Sequence, residues 1–487
     1  MLDASHSGVL VAIARHAQSS PDKIALVADA VRVTYAQLVQ RIEGAAQFLQ
    51  SLGLHAGDHI ILSANKELEF VYCYFATHLM GVVNVVVDPS APAERLDYIS
   101  DLVRPAAVFG AIQKPEQRCI NYADVELTSG DVAFIRQQKL NDDDIADVMF
   151  TTGTSGRPKG VCLSHANIAG AAANINGFVL NDDSDIEALG LPLSHSFGLG
   201  RLRCVLTAGG TMVLVGSFAN LKAFFNVLET EHVTGFGMVP AVWQYIKRLS
   251  GRRISRFADQ LRYIEIGSSP LSVEDKRLLM ELFPYTRLCM HYGLTEASRA
   301  LFSEFHHDSE KLETIGKPVS PQVEACILDE QGNPVPDGID GELCVRGNMV
   351  MRSYLLPEDN IDAFHNGWFR TGDWGHRDAA GDYYFTGRKK ELINVGGEKV
   401  SPAAIEDAIR SLGVADCACV AVPDPNGMLG EVPKAFLQRG GCQLDIEDIK
   451  QRLSQLLPPH EIPVLWEWID SIPRTTSGKI QRLKLKQ

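Results

Sequence analysis

The chain lacks the excess of positive charge that a nucleic-acid coat or an anionic membrane surface selects. Its 46 Lys and Arg against 60 Asp and Glu leave a net charge of −14. A local cationic site is still compatible with that balance. Residues 388–487 carry 14 basic and 13 acidic side chains, so the acidity lies upstream. Met1 to His6 shows no cationic stretch leading into an apolar core, and no secretory signal is expected. The ten cysteines then read as reduced thiols of a cytoplasmic protein. Metal spacing is also missing. The closest cysteine pair, Cys417 and Cys419, is C-x-C, and His306-His307 stands alone. The longest uncharged run, Phe70 to Val87, is interrupted by Thr77, His78, Gly81 and Asn84. It reads as a buried helix followed by a buried strand, not as a membrane span. No repeat or low-complexity segment occurs.

What remains is an ordinary globular composition, 45% hydrophobic and 22% charged. At about 150 residues per domain, 487 residues suggest roughly three domains, or one large domain and a small one. Thr34 is placed to cap a helix through Leu38, Ile42 and Phe48 that Gly53 stops. His59–Ser63, Val82–Val87 and Ala106–Phe109 read as strands, with helices over Glu67–Met80 and Pro92–Leu102. After residue 180, Ile186–Pro192, Thr211–Val215, Gly235–Val239, Tyr263–Ile266 and Arg287–Met290 continue the series. Strands alternating with helices predict largely parallel α/β sheets. From about residue 315 crowded turn signals, such as Asp337-Gly338 and Ala380-Gly381-Asp382, predict antiparallel strands. A small α+β module follows Arg388. The expected division is a core over 1–388 and a C-terminal domain over 389–487.

Val148 to Gly160 reads Val-Met-Phe-Thr-Thr-Gly-Thr-Ser-Gly-Arg-Pro-Lys-Gly. An apolar strand runs into hydroxyl residues and glycines and closes on a lysine. Glycine lets backbone N–H groups turn toward an oxyanion, Ser and Thr add donors, and Lys159 adds charge. That chemistry suits polyphosphate. It is not a Walker loop, because Pro158 and Gly160 stand where Gly and Ser/Thr are required, and no G-x-G-x-x-G occurs.

Five further segments follow: Gly267-Ser268-Ser269-Pro270-Leu271, Tyr292-Gly293-Leu294-Thr295-Glu296, Thr371-Gly372-Asp373, Gly387 to Ser401-Pro402, and Pro473-Arg474-Thr475-Thr476-Ser477-Gly478-Lys479. In order and spacing the whole set resembles the adenylate-forming superfamily of acyl-CoA synthetases, adenylation domains and luciferases. The resemblance covers essentially the whole chain. It implies a large α/β domain of mostly parallel sheets with a β-rich subdomain, followed by a small mobile α+β domain. It also implies ATP and Mg²⁺. Thr151, Thr152, Gly153, Thr154, Ser155, Gly156 and Lys159 correspond to the phosphate loop. Gly267, Ser268 and Ser269 correspond to the adenine-side loop. Tyr292 and Gly293 cover adenine, Thr295 donates to the α-phosphate, and Glu296 holds the metal. Asp373 accepts from ribose hydroxyls, and Arg388 supplies a fork for ribose or phosphate oxygen. Lys390 matches the hinge, Gly397 a contact of the thiol step, and Lys479 the lysine of the adenylation step. Many relatives carry a lysine where this chain has Asn394.

The acid pocket is less legible. Leu191-Pro192-Leu193-Ser194-His195-Ser196-Phe197-Gly198 lacks the Phe-Asp of amino-acid-activating relatives and looks like the Pro-Leu-x-His-x-x-Gly of acyl and aryl ligases. His195 becomes the gate residue on the carboxylate side. His291 belongs to the nucleotide site or the acid pocket, and Met238 and Trp243 either line the pocket or pack. The expected reaction joins a small carboxylic acid to AMP, then to the thiol of CoA or of a carrier protein's phosphopantetheine. With eight residues after Lys479, no fused carrier domain is expected. Asp88-Pro89-Ser90-Ala91-Pro92-Ala93-Glu94-Arg95 looks more like carrier-loading relatives. Two other readings stay open: an amino-acid adenylation enzyme loading a carrier protein, and a nucleotide-binding sensor or scaffold without catalysis. Intact Lys479, Glu296 and Arg388 argue against the second.

Overall fold

Thr34 and Gln37 start a helix by satisfying each other's backbone. The Thr34 hydroxyl accepts from Gln37 N, and the Gln37 side chain accepts from Thr34 N. The helix runs Tyr35–Ser51 and turns Leu38, Ile42, Ala45 and Leu49 into the core. The computed structural model describes residues 8–110, 117–125, 127, 141–151, 157–396, 398–438, 444–474 and 480–486. The chain divides into two units, residues 1–325 with 345–369, and residues 326–344 with 370–487.

The first unit contains two large sheets. Among the described residues, one has seven strands, in the order 353–354, 159–164, 145–151, 83–87, 59–63, 107–109 and 119–120. Its strands from 145–151 to 119–120 pair in parallel. The other has eight, in the order 301–304, 287–292, 263–266, 235–238, 186–189, 211–214, 24–28 and 31–34. It too is parallel except at its two edges. The alternation of strand and helix predicts such sheets, and the predicted strands reappear within a residue or three of their expected ends. The run Phe70–Val87 is the helix Leu68–Met80, buried on nearly every face, then Gly81 at φ +71°, then the fully buried strand Val83–Val87. No helix among the described residues is long and apolar enough to cross a membrane.

Helix Ser196–Ala208 carries two buried arginines that reach different sheets. Arg203 pairs at 3.0 Å with Asp147 on strand Ile145–Thr151. Arg201 pairs with Glu187 on strand Ile186–Leu189 and, at 3.1 Å, with Glu265 on strand Tyr263–Ile266. Asp147 also accepts from Tyr74 Oη at 2.8 Å and lies 3.0 Å from His78. Burial alone would raise its carboxyl, but the Arg203 and His78 charges outweigh that and hold it at about 2.

In the second unit, strand residues Asp373–Arg377 pair antiparallel with Tyr383–Arg388, and Asp373 stands opposite Arg388. The C-terminal part has a hairpin of Ile393–Val395 with Glu398–Val400. It adds helices Pro402–Ser411 and Ile446–Leu453 and a three-stranded sheet of 417–423, 431–438 and 465–469. Val400, Ile405, Ile409, Cys417, Cys419, Leu437, Ile449 and Leu453 close its core. Burial, not disulfide pairing, accounts for the C-x-C pair: the Cys417 thiol is pushed up to about 12.

Candidate active site

Strand Ile145–Thr151 pairs antiparallel with Lys159–Ser164 and sets Thr151 opposite Lys159. Thr152, Gly153, Thr154, Ser155 and Gly156 lie outside the described residues. Helix Ala93–Val103 braces the flanks of that segment. Arg95 donates to Phe150 O at 3.2 Å, Tyr98 Oη donates to Pro158 O at 3.2 Å, and Arg157 Nε donates to Tyr98 Oη at 2.6 Å. The Lys159 ammonium lies 3.0 Å from Asp359 and 4.8 Å from the centre of the Tyr354 ring. Tyr354 Oη donates to Glu296 Oε1 at 2.9 Å. Lys159 and Glu296, 137 positions apart in the sequence, thus meet around one tyrosine.

Glu296 suits Mg²⁺. It is a half-buried single carboxylate, and among the described residues no group of three or more His, Cys, Asp or Glu forms a closed cage. Mg²⁺ prefers one or two carboxylates, with water and phosphate oxygens completing its shell.

The predicted adenine-side residues meet over a buried charge network. His291 Nδ1 stands 2.8 Å from Glu265 Oε1, and Arg299 Nε stands 2.9 Å from the same oxygen. Burial would raise the Glu265 carboxyl; Arg299, Arg201 and His291 together hold it well below the usual carboxylate range. Burial lowers His291, so its imidazole is neutral at neutral pH. Two glycines are required by close approach. A Cβ on Gly267 would fall 2.1 Å from the His291 ring, and one on Gly293 would fall 2.4 Å from Arg299 N. Ser268 at φ +78° and Arg299 at φ +54° hold left-handed backbone that side chains rarely adopt. Arg299 also donates to Phe197 O at 3.1 Å, joining this loop to the start of helix Ser196–Ala208.

His195 is the exposed N-cap residue of that helix. Beside it, Ser194 Oγ donates to Asp88 Oδ2 at 2.9 Å, while Asp88 Oδ1 accepts from Ser90 N at 2.8 Å. Asp88 therefore shapes its own turn and the His195 loop. Lys66 Nζ donates to Gly190 O, Val215 O and Gly216 O at 2.7–2.9 Å, which pins the chain just before Leu191. Burial lowers its ammonium to about 8. Met238 and Trp243 are fully buried, and Trp243 Nε1 donates to Asp275 Oδ1 at 2.9 Å.

In the second unit, Arg388 Nε lies 2.7 Å from the buried Asp373 Oδ1. The Thr371 hydroxyl accepts from Asp373 N at 3.0 Å and donates to Leu343 O at 2.6 Å, fixing strand Trp368–Arg377 around Gly372, φ +71°. Lys390 follows strand Tyr383–Arg388 and is exposed. Gly397 and Lys479 lie outside the described residues.

Sequence reasoning missed Tyr354, Asp359, Glu265, Arg299 and Arg201. Only Glu265 and Arg299 carried a signal, as charges two residues before one site segment and three after another.

Known proteins share this organisation. Residues 13–355 match the AMP-binding enzyme family, and residues 404–479 match the AMP-binding enzyme C-terminal domain. The 2-succinylbenzoate–CoA ligase of Bacillus licheniformis is 28% identical over 97% of this chain and 98% of its own. The feruloyl-CoA synthase of Amycolatopsis sp is 29% identical over 97% of each chain. Among solved structures, o-succinylbenzoate CoA synthetase from Bacillus subtilis, in complex with its acyl-adenylate intermediate, has a TM-score of 0.88 at 25% identity over 98% of both chains. ATP-bound MatB from Rhodopseudomonas palustris has a TM-score of 0.88 at 25% identity, over 99% of this chain and 98% of its own. The site segments and matches to both parts of the family agree, and the chain belongs to the AMP-binding enzymes of the adenylate-forming superfamily.

Proposed function

We propose that this protein activates an acyl or aryl carboxylic acid with ATP and passes the acyl group to the thiol of CoA. It is an AMP-forming acid–thiol ligase. The observation that carries the reading is the meeting of Lys159 and Glu296 around Tyr354 at the end of the phosphate-loop strands. The activities of the relatives, a 2-succinylbenzoate–CoA ligase and a feruloyl-CoA synthase, support the substrate class and CoA as acceptor.

In the first step a carboxylate oxygen bonds to the α-phosphorus of ATP while the bond to the bridging oxygen breaks and pyrophosphate leaves. In the second the thiol sulfur bonds to the acyl carbon, and AMP leaves with the oxygen that joined it to the acyl group. Most of the catalytic work is alignment and stabilisation of phosphoryl charge. Lys159 and the donors around Thr151 hold phosphate, Thr295 donates to the α-phosphate, and Glu296 holds the divalent cation. That cation, when bound, neutralises phosphate oxygens. Asp373 and Arg388 engage the ribose, Gly267–Ser269, Tyr292 and Gly293 the adenine, and neutral His291 backs that surface. His195 stands at the carboxylate entrance. Lys479 serves adenylation, and Gly397 the thiol step after residues 389–487 reorient about Lys390.

Three outcomes follow. In ATP–pyrophosphate exchange with a panel of acids, acyl and aryl acids should outperform standard α-amino acids, because the stretch Leu191–Gly198 lacks the Asp with which amino-acid-activating relatives pair an α-ammonium. An α-amino acid as the best substrate by a wide margin would overturn the pocket reading. With CoA and isolated carrier proteins offered separately, thioester should form on CoA. Lys390→Pro should impair the two half-reactions unequally, because a fixed φ at the hinge obstructs reorientation. Wild-type rates in both would remove the hinge.

A further inference from the structure

Tyr354 is built in with unusual care for a residue outside every segment that points to the chemistry. It pairs with Val161 on the short strand Ser353–Tyr354, next to the strand that begins at Lys159. Leu355 N donates to Gly160 O at 2.7 Å. The Asn360 side chain brackets the tyrosine backbone, accepting from Tyr354 N at 2.8 Å and donating to Tyr354 O at 2.9 Å. Three residues earlier, Met351 N donates to Glu296 O at 2.7 Å. The segment therefore holds Glu296 by its backbone and, through the Tyr354 hydroxyl at 2.9 Å, by its carboxylate.

A glutamate side chain left to itself samples many rotamers and loses that freedom when it meets a cation. A hydroxyl bond to one carboxylate oxygen removes much of that cost beforehand and leaves the second oxygen for the ion. The face of the same ring, 4.8 Å from the Lys159 ammonium, holds that cation beside its counter-ion Asp359. An incoming polyphosphate competes with the half-buried Asp359 carboxylate for Lys159, while the ring keeps the ammonium in place.

We propose that Tyr354 is a positioning residue of the phosphate end: its hydroxyl sets the Glu296 carboxylate for a nucleotide-bound divalent cation, and its ring steadies Lys159. The proposal rests on the reading of Glu296 as the metal carboxylate. The test is calorimetric binding of ATP at increasing Mg²⁺, and of AMP without Mg²⁺, to the full chain. Wild type, Tyr354→Phe, Glu296→Gln and the double variant are compared, with thermal unfolding as the folding control. Tyr354→Phe keeps the ring and removes one hydroxyl. It should raise the Mg²⁺ concentration for half-maximal ATP binding roughly five- to tenfold, the size of one hydrogen bond's typical net contribution. AMP affinity should not change. In the Glu296→Gln background the second substitution should add little, because both act on one contact. If Glu296→Gln shifts the Mg²⁺ dependence and Tyr354→Phe does not, the Tyr354 assignment falls alone. If neither shifts it, the reading of Glu296 falls and takes the assignment with it. Equal losses of ATP and AMP affinity in Tyr354→Phe would reduce the residue to local support of the fold and overturn the proposal.

Discussion

Lys479→Ala should lose acid-dependent pyrophosphate exchange by roughly 10²–10³-fold, about 3–4 kcal/mol of transition-state stabilisation. The reason is electrostatic. Charge builds on the α-phosphate and the incoming carboxylate during adenylation, and in the proposed mechanism Lys479 supplies an ammonium for those oxygens. The fold should survive. The C-terminal core is built from apolar side chains such as Val400, Ile405 and Ile449, and a lysine is rarely part of such packing. Transfer from pre-made acyl-adenylate to CoA should stay much closer to wild type, because the role proposed for Lys479 is confined to the adenylation step. Exchange within a few-fold of wild type would return Lys479 to the class of solvated terminal lysines. Both half-reactions falling together in a folded protein would mean that one conformation serves both steps.

The second large effect concerns stability. Arg201→Met should destabilise the first unit by about 3–5 kcal/mol, read as an earlier first transition in denaturant unfolding. Arg201 is fully buried and sits between the carboxylates of Glu187 and Glu265. Removing it leaves Glu187 in the interior with Tyr263 Oη as its remaining donor, at 2.5 Å. Methionine fills much of the volume, so the loss is chiefly the uncompensated charge, not a cavity. Adding Glu187→Gln to Arg201→Met should therefore recover part of the loss. A double variant less stable than Arg201→Met by the full cost of a second core substitution would contradict this. The Glu265 carboxyl, held below its ordinary range, adds stability in wild type. That contribution is fully present above about pH 4.3, the ordinary glutamate value, and is lost as pH falls from there through the folded value.

The parallel sheets were legible because their strands announce themselves locally. Val83–Val87 is apolar on both faces, and Thr34 and Gln37 cap the helix that follows them in the chain. The pairing of strands was not. Ile24–Ala28 lies beside Thr211–Leu214, and nothing within either segment records a partner so far away. The site segments were legible where chemistry demands rare residue combinations, as at Tyr292–Glu296. Gly267 and Gly293 then acquire a reason, since His291 and Arg299 N occupy the space a Cβ needs. Arg201 and Asp147 were invisible because a charged residue in sequence looks the same whether it faces water or a buried partner. Tyr354 was invisible for a related reason: its two contacts, Glu296 and Lys159, come from different stretches of chain and meet only in the fold.

The most direct measurement is pyrophosphate exchange into ATP by the purified full chain with Mg²⁺ and a panel of acyl and aryl acids, in the absence of any thiol. An enzyme that first makes an acyl-adenylate exchanges label as soon as the right acid is present, and on adding CoA it releases AMP with the thioester. That is the predicted result. Exchange that requires CoA, or acid-dependent formation of ADP and phosphate in place of AMP and pyrophosphate, would contradict the account.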